Sequence, residues 1–365
     1  MENKNITFLI SSLAGGGAEG VCVNLANGLA QNGWNVELIV LHMNNSVYHE
    51  NLDDRVNLVV LNVNNARYSL ISLIKHFRKV KLEKIVVFNY ELTVMTLIAR
   101  YFCYDKFKVI SRNINTISKN QIVEKSFSYK AFLKKMVDIF YKKSDFIVNQ
   151  SNGMMEDLIS IYPDIRNKTQ VIYNPVRLEI EKHGKSIDFE NIIKDNYILC
   201  VGRLEHQKAF HFAIEAFSKI VIDFPSIRLK IVGQGSLESS LKELAKKLDV
   251  QDRVDFEGFR KNAIPFYEKA KLVLLTSLYE GFPNVLIESI ALGTPVVSFD
   301  CQSGPSEIIE DSVNGYLVKY LDEEDLQKNL SIALEKNWDY KCVHNSSLRF
   351  SGCEIIEQWE KVIER

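Results

Sequence analysis

The sequence predicts an α/β protein built from two doubly wound, Rossmann-like domains, and three observations point there. Short apolar, β-branched runs alternate with amphipathic helical patterns along the whole chain. The alternation occurs twice, on either side of a weakly periodic segment at 171–195. The length, 365 residues, exceeds what one hydrophobic core ordinarily fills.

In the first half, NITFLIS (5–11), VELIVL (36–41), VNLVVLN (56–62), KIVVFN (84–89), KVISR (108–112) and DFIVNQ (145–150) read as strands. Runs of this length without strict alternation suit a parallel sheet covered by helices on both faces. Helical patterns lie between them, at Gly20 to Asn32, Ser69 to Lys79 and Lys125 to Tyr141. The second half repeats the theme with NYILCVG (196–202), RLKIVG (228–233), RVDFEG (253–258), LVLLTS (272–277), PVVSFD (295–300) and GYLVK (315–319). In the segment between the halves, Asn174-Pro175 favours a turn and stops a helix, so a linker is expected there. The last stretch, 352–365, reads as an amphipathic helix with Ile355, Ile356, Trp359 and Ile363 on one face. The expected division is residues 1–177, residues 178–351, and a terminal helix at 352–365 that packs back on the first domain.

Composition narrows the class. With 46% hydrophobic and 25% charged residues, the chain is neither disordered nor collagen-like. Its six cysteines are scattered, without a C-x-x-C pair or zinc-like spacing, and read as reduced, mostly buried thiols. The apolar run Ile6 to Leu13 is too short for a signal peptide, and no window approaches a membrane span. A cytoplasmic protein is expected, unless it lies on the inner membrane face. Net charge is −1, which suggests no nucleic-acid partner, but the halves differ. Residues 1–177 carry 22 Lys/Arg against 15 Asp/Glu, whereas the remainder carries 23 against 31. Such asymmetry fits either a solvated face or a first domain that meets an anionic surface.

Three segments carry chemistry. GGGAEG (15–20) follows the first strand and opens a helix, so Gly16 and Gly17 allow phosphate or sugar to approach helix amides. It formally satisfies G-x-G-x-x-G, but the second strand ends in Val40-Leu41-His42, without the ribose-binding acid a dinucleotide enzyme needs. GRLEHQK (202–208) also follows a strand. There Gly202 allows a tight turn, and Arg203 and Lys208 suit a diphosphate, one as a bidentate grip and the other as a point charge. Phe259 ends a later strand beside Gly258.

LYEGFPNVLIESIALGTPVV (278–297) is the strongest signal. Glu280 sits in a loop, Gly281, Phe282, Pro283, Asn284 and Val285 form the turn into a helix, and Glu288 follows on that helix. Backbone amides at a helix start bind anions and sugar hydroxyls, and carboxylates accept from sugar or ribose hydroxyls. The alternative is a capped amphipathic helix with solvated glutamates. Apolar neighbours nearly all round make Glu288 a buried acid, which is costly without a task.

Taken together these motifs resemble the retaining glycosyltransferases of the GT-B fold, specifically the large family-four group that builds bacterial surface glycans. Supporting segments are SNGMMEDL (151–158), VIYNPV (171–176), FEGF (256–259) and SGPSEIIEDSVNGYLV (303–318). The resemblance implies two domains facing across a cleft, acceptor on the first and nucleotide sugar on the second. Arg203 and Lys208 would bind the donor diphosphate, Glu288 the ribose, Glu280 the transferred sugar, and Phe282 to Val285 the sugar and distal phosphate. It implies a UDP-linked donor, a glycan acceptor carried on lipid, no metal, no separate cofactor and no enzyme nucleophile. Many relatives carry a histidine after the fifth strand. Here ISRNINT (110–116) has none, and Arg112 or Asn115 is expected to serve that position. The basic, aromatic stretch Lys119 to Lys143 reads either as a packed surface helix or as one that lies on anionic lipid, and the lipid-linked acceptors the resemblance implies favour the second. Other readings are a sugar-nucleotide epimerase on the same scaffold and a non-catalytic nucleotide-sugar-binding subunit.

Overall fold

The computed structural model describes residues 4–114 and 135–365. The chain divides into two compact units: residues 1–177 together with 352–365, and residues 178–351.

The first unit is a seven-stranded sheet with all neighbours parallel. Its strands are β1 Asn5–Ile10, β2 Asn35–Val40, β3 Asn57–Val60, β4 Lys84–Phe88, β5 Lys108–Arg112, β6 Phe146–Asn149 and β7 Thr169–Val171. The spatial order is β3-β2-β1-β4-β5-β6-β7. The order therefore reverses between β1 and β4, and ligands of such sheets sit at the strand C-termini at that point. Helices α1 Gly17–Gln31, α2 Leu70–Phe77, α3 Tyr90–Tyr101 and α4 Asn152–Ile161 connect the strands. Alternate strand residues feed two cores. Phe8, Val36, Leu38 and Val86 pack with α1 on one face. Leu9, Ile39, Ile85 and Val87 pack with α2 and α3 on the other. Burial on both faces is why these strands read as unbroken apolar runs.

The second unit holds β8 Tyr197–Val201, β9 Arg228–Val232, β10 Val254–Gly258, β11 Leu272–Leu275, β12 Val296–Phe299 and β13 Gly315–Val318. They form a parallel sheet of order β10-β9-β8-β11-β12-β13, with its switch point between β8 and β11. The helices are α5 Leu178–Gly184, α6 Phe210–Ile220, α7 Glu238–Lys247, α8 Ile264–Lys269, α9 Asn284–Ala291, α10 Pro305–Ile308, α11 Glu323–Glu335 and α12 Tyr340–Ser346.

The last helix, α13 Gly352–Glu364, belongs to the first unit. Ile355, Trp359 and Ile363 are fully buried in the α1 core, on the apolar face that the sequence pattern indicates. Gly28 on α1 makes room for it: a Cβ there would stand 1.9 Å from Ile356 Cδ1.

Two expectations change. The segment 171–195 is not plain linker, because it contains α5. The short β7 was not expected as a strand; three residues are too few to show a period. The basic stretch from Lys119 lies outside the described residues as far as position 134. Four cysteines, Cys22, Cys103, Cys200 and Cys301, are buried and two, Cys342 and Cys353, are exposed.

Candidate functional site

The second unit brings the loops after β8 and β11 together at its switch point. After β8 the chain makes a single turn at His206–Lys208 and enters α6 through Ala209, whose left-handed φ of 44° is uncommon for a residue with a side chain. Bonds from the β11 loop hold that turn. Thr276 Oγ1 donates to the carbonyls of Lys208 and Ala209 at 3.0 and 3.2 Å. Leu278 N donates to Gln207 O, and Gln207 Nε2 donates to Tyr279 O at 3.0 Å. The stem of Lys208 lies against Gly202.

The result is a close charge pair: Lys208 Nζ donates to Glu280 Oε1 at 2.6 Å, with side chains only 15% and 9% exposed. The two residues lie far apart in sequence and meet because β8 and β11 are neighbours. Arg203 is exposed on the same loop as Lys208. Glu205 is tied down beside it: Ser236 N and Oγ donate to its carboxylate at 2.9 and 2.8 Å. These bonds, the backbone one foremost, hold Glu205 below the usual carboxylate range.

Past Glu280, residues Gly281 to Pro283 lead into α9. Pro283 offers no side-chain cap, so nothing at that position competes for the first amides of the helix. The loop after β12 braces this turn. Tyr279 and Gln302 form a bridge, and Glu280 N donates to Gln302 O at 3.4 Å. Gly304 has φ 102°, and a Cβ on it would stand 2.5 Å from Pro283 Cδ. Cys301 is buried next to the pair; burial first, then the Glu280 carboxylate, pushes its thiol up to about 12. On α9 itself Glu288 is 7% exposed, and Tyr267 Oη donates to its Oε2 at 3.2 Å. The glutamate is thus a buried, hydrogen-bonded acid, not a solvated one.

Other expected residues lie elsewhere. Phe259 is 52% exposed just past β10, two strands from β8, and does not join the Lys208–Glu280 cluster. The turn GQGSL (233–237) after β9 is tightly packed. A Cβ on Gly233 would fall 1.8 Å from Gly202 O, so the β9 loop is pressed against the β8 loop.

In the first unit, Gly16 and Gly17 are exposed at the start of α1, and the Glu19 carboxylate folds back over Gly16. Arg112, expected in a catalytic role, faces inward. It is 1% exposed, turned into the unit's own interior, with its guanidinium 5.2 Å from the Phe88 ring and 5.5 Å from the Trp359 ring. Its Nη2 donates to Asn174 Oδ1. Burial lowers its pKa to about 10, which leaves it charged at neutral pH. The guanidinium thus ties β5 to Phe88 of β4 and to Trp359 of the C-terminal helix. Asn89 caps α3, its side chain accepting from Glu91 N at 2.8 Å.

Sequence reasoning missed two groups. Asn113, Asn149, Gln150 and Asn174 form buried amide pairs at the ends of β5 to β7, Asn113 to Asn149 at 3.2 Å and Asn174 to Gln150 at 3.0 Å. The signal was there as amides directly after strands. Cys301 and Gln302 beside Glu280 gave no signal, since only the sheet order makes them neighbours.

The profile of "Glycosyl transferases group 1" matches residues 185–346, and that of "Glycosyltransferase Family 4" matches residues 15–180. A Campylobacter jejuni protein is 27% identical over 354 residues, 94% of each chain. It is named an N-acetylgalactosamine-N,N'-diacetylbacillosaminyl-diphospho-undecaprenol 4-alpha-N-acetylgalactosaminyltransferase. Among solved structures, Anabaena Alr3699/HepE in complex with UDP aligns with a TM-score of 0.78 at 18% identity, over 99% of both chains. The lipopolysaccharide outer core galactosyltransferase WaaB in its apo form aligns with a TM-score of 0.71 at 19% identity, over 98% of this chain and 99% of that one. At these identities the structural likeness is one of fold.

Proposed function

Since the chain belongs to the family-four glycosyltransferases, of GT-B fold, we propose that it transfers a hexose or N-acetylhexosamine from a UDP-sugar to a glycan, with retention at the anomeric carbon. The Lys208–Glu280 pair carries this reading. A buried lysine and glutamate held by two adjacent loops, one strand end from an uncapped helix start, form a site with both a phosphate-binding and a hydroxyl-binding half.

In the proposed site Lys208 and Arg203 take the donor diphosphate, and Glu288 accepts from the ribose hydroxyls. Without donor, Lys208 and Glu280 neutralise each other. When the diphosphate arrives, Lys208 re-pairs with it, and Glu280 is released to accept from hydroxyls of the transferred sugar. The backbone from Phe282 to Val285 meets the sugar and distal phosphate. As the anomeric C–O bond breaks, negative charge grows on the leaving phosphate, where Arg203, Lys208 and the α9 dipole stabilise it. The acceptor oxygen bonds to the anomeric carbon on the face the phosphate leaves, and its proton passes to that phosphate. No enzyme nucleophile is needed, and these groups do the work otherwise given to a metal.

The UDP complex of HepE supports the uracil nucleotide. The diphospho-undecaprenol in the name of the Campylobacter jejuni protein supports a lipid-linked acceptor in bacterial surface-glycan synthesis. No helix among the described residues is long and apolar enough to cross a membrane. Reaching such an acceptor then calls for peripheral contact with the cytoplasmic face of the membrane. The test is a donor screen on purified protein, scoring slow hydrolysis of each nucleotide sugar. UDP-sugars are expected to be cleaved. Cleavage confined to GDP- or ADP-sugars would overturn the uridine assignment, and accumulation of an epimerised sugar nucleotide without hydrolysis would overturn transfer itself.

A further inference from the structure

The first unit has a surface that its fold does not explain. On α2 and the turn before it, Tyr68, Ile71, Lys75 and Arg78 share one helical face, opposite the buried Leu73 and Phe77. Tyr68 is 63% exposed and Ile71 67%. The end of α3, which packs beside α2, adds exposed Tyr101, Phe102 and Tyr104, the last at 91%. Single exposed apolar side chains need no explanation, but several on two adjoining elements do.

Each exposed tyrosine carries a cation. Arg67 stands 4.6 Å from the Tyr68 ring, Arg78 5.7 Å from Tyr104, and Lys106 and Lys143 6.0 and 5.7 Å from Tyr101. Arg78 also donates to Phe102 O at 2.9 Å, which joins the α2 face to the 101–106 turn. Beside Tyr101 a pocket of about 690 Å³ opens at the N-terminal ends of β4 and β5. Five cations line it: Lys81, Lys84, Arg100, Lys106 and Lys108. Against them stand Glu83, Asp105 and Asp145, and Arg100 already holds Asp145 at 2.5 Å. Lys84 and Lys108 also hold the carbonyls of Ile363 and Arg365. The pocket therefore keeps a net positive charge beside a rim of rings.

We propose that this face lies on an anionic phospholipid bilayer, with a lipid headgroup phosphate in the Lys81–Lys106 pocket and the exposed rings at headgroup depth. Aromatic rings paired with Arg or Lys match a membrane interface, where the ring meets the acyl boundary and the cation meets phosphate. Charge selects the occupant: this unit holds the chain's excess of Lys and Arg, and each such cation near an anionic surface adds to binding. The geometry fits the task as well. Helices of a doubly wound unit run back from the strand C-termini, so α2 spans from the edge that carries Gly16 to the edge that carries the pocket. A bilayer along α2 leaves the substrate edge beside the membrane instead of buried in it. The inference rests on the peripheral contact proposed above and gives that contact a place.

Full-length protein is sedimented with vesicles of phosphatidylcholine alone or mixed with phosphatidylglycerol, at low salt. Wild type is expected to bind the mixed vesicles only. Lys75→Glu with Lys106→Glu is expected to weaken that binding about twentyfold or more. Phe102→Ser with Tyr104→Ser is expected to weaken it too, with thermal unfolding and UDP-sugar hydrolysis unchanged, since both side chains are exposed. If wild type binds and both double variants bind equally well, the surface is wrong while peripheral contact stands. If wild type binds no vesicles, both ideas fall. If the aromatic variants instead dissolve a dimer seen by light scattering, the face belongs to a second copy of the chain and the lipid assignment is overturned.

Discussion

Replacing Lys208 by alanine separates the two jobs of the ion pair. In the folded protein the change takes away the cation that stood 2.6 Å from the Glu280 carboxylate, a residue only 8% exposed. Breaking a buried pair from one side costs about 3–5 kcal/mol, and the remaining access to solvent puts this one near the lower end, about 3 kcal/mol. For a unit of this size that lowers the melting temperature by roughly 6–12 °C, so the variant still folds at room temperature. Glu280→Ala alone strands the lysine, which reaches solvent more easily, and costs less. Removing both partners takes the pair away as a unit, so the double variant is expected to be more stable than the two single losses sum to. Donor cleavage behaves differently: every variant lacking Lys208 is expected to lose about 100-fold or more, because the cation stabilises charge that grows on the phosphate. Thermal melts and hydrolysis assays on the four-member cycle read the two effects independently. Additive stability losses, or turnover within threefold of wild type for Lys208→Ala, would refute the reasoning.

Three further expectations follow from the same geometry. Gly304→Ala forces a Cβ toward Pro283 at a backbone φ of 102°, so it is expected to cost about 1–3 kcal/mol and to raise KM for the donor by shifting the α9 turn; denaturant melts and donor titrations check both. Gly28→Ala collides with Ile356 and is expected to loosen α13, seen as faster amide hydrogen exchange in 352–365 while the second unit keeps its protection. Lys194 is partly buried, donating to Glu268 O and Thr294 Oγ1 at 2.6 Å each, and desolvation lowers its pKa to about 7. The unfolded chain then holds one more proton than the folded chain between pH 7 and 10.5, so stability is expected to rise with pH across that window. Lys194→Met removes that rise, and parallel urea melts at several pH values show whether the two curves converge at high pH.

Much of this fold could be read from one-dimensional pattern because its strands are buried on both faces. A stretch such as YILCV leaves no ambiguity about what it avoids, and α13 displays its seam through Ile355, Trp359 and Ile363. The donor-site residues were legible for a related reason: GRLEHQK and EGFPNVLIE each follow a strand directly, and strand ends are where such sheets present ligands. What could not be read was adjacency. Only the order β10-β9-β8-β11-β12-β13 puts Lys208 against Glu280 and Cys301 behind them. The burial of Arg112 could not be read either. A lone arginine after a strand reads as exposed and functional, but Phe88 precedes it by a strand and Trp359 lies at the chain's far end. Two rings that sequence does not bring near one another hold it in the interior.

The central claim is that Arg203 and Lys208 hold the donor diphosphate while Glu288 holds the ribose. Calorimetric titration of UDP and of UMP into wild type, Arg203→Ala and Glu288→Ala tests it most directly. Wild type is expected to bind UDP more tightly than UMP. Losing a charge-assisted contact is worth roughly ten- to a hundredfold in affinity, so Arg203→Ala should weaken UDP by about that factor and UMP far less. Glu288→Ala should weaken both alike. UDP binding unchanged in Arg203→Ala and Glu288→Ala would contradict the account.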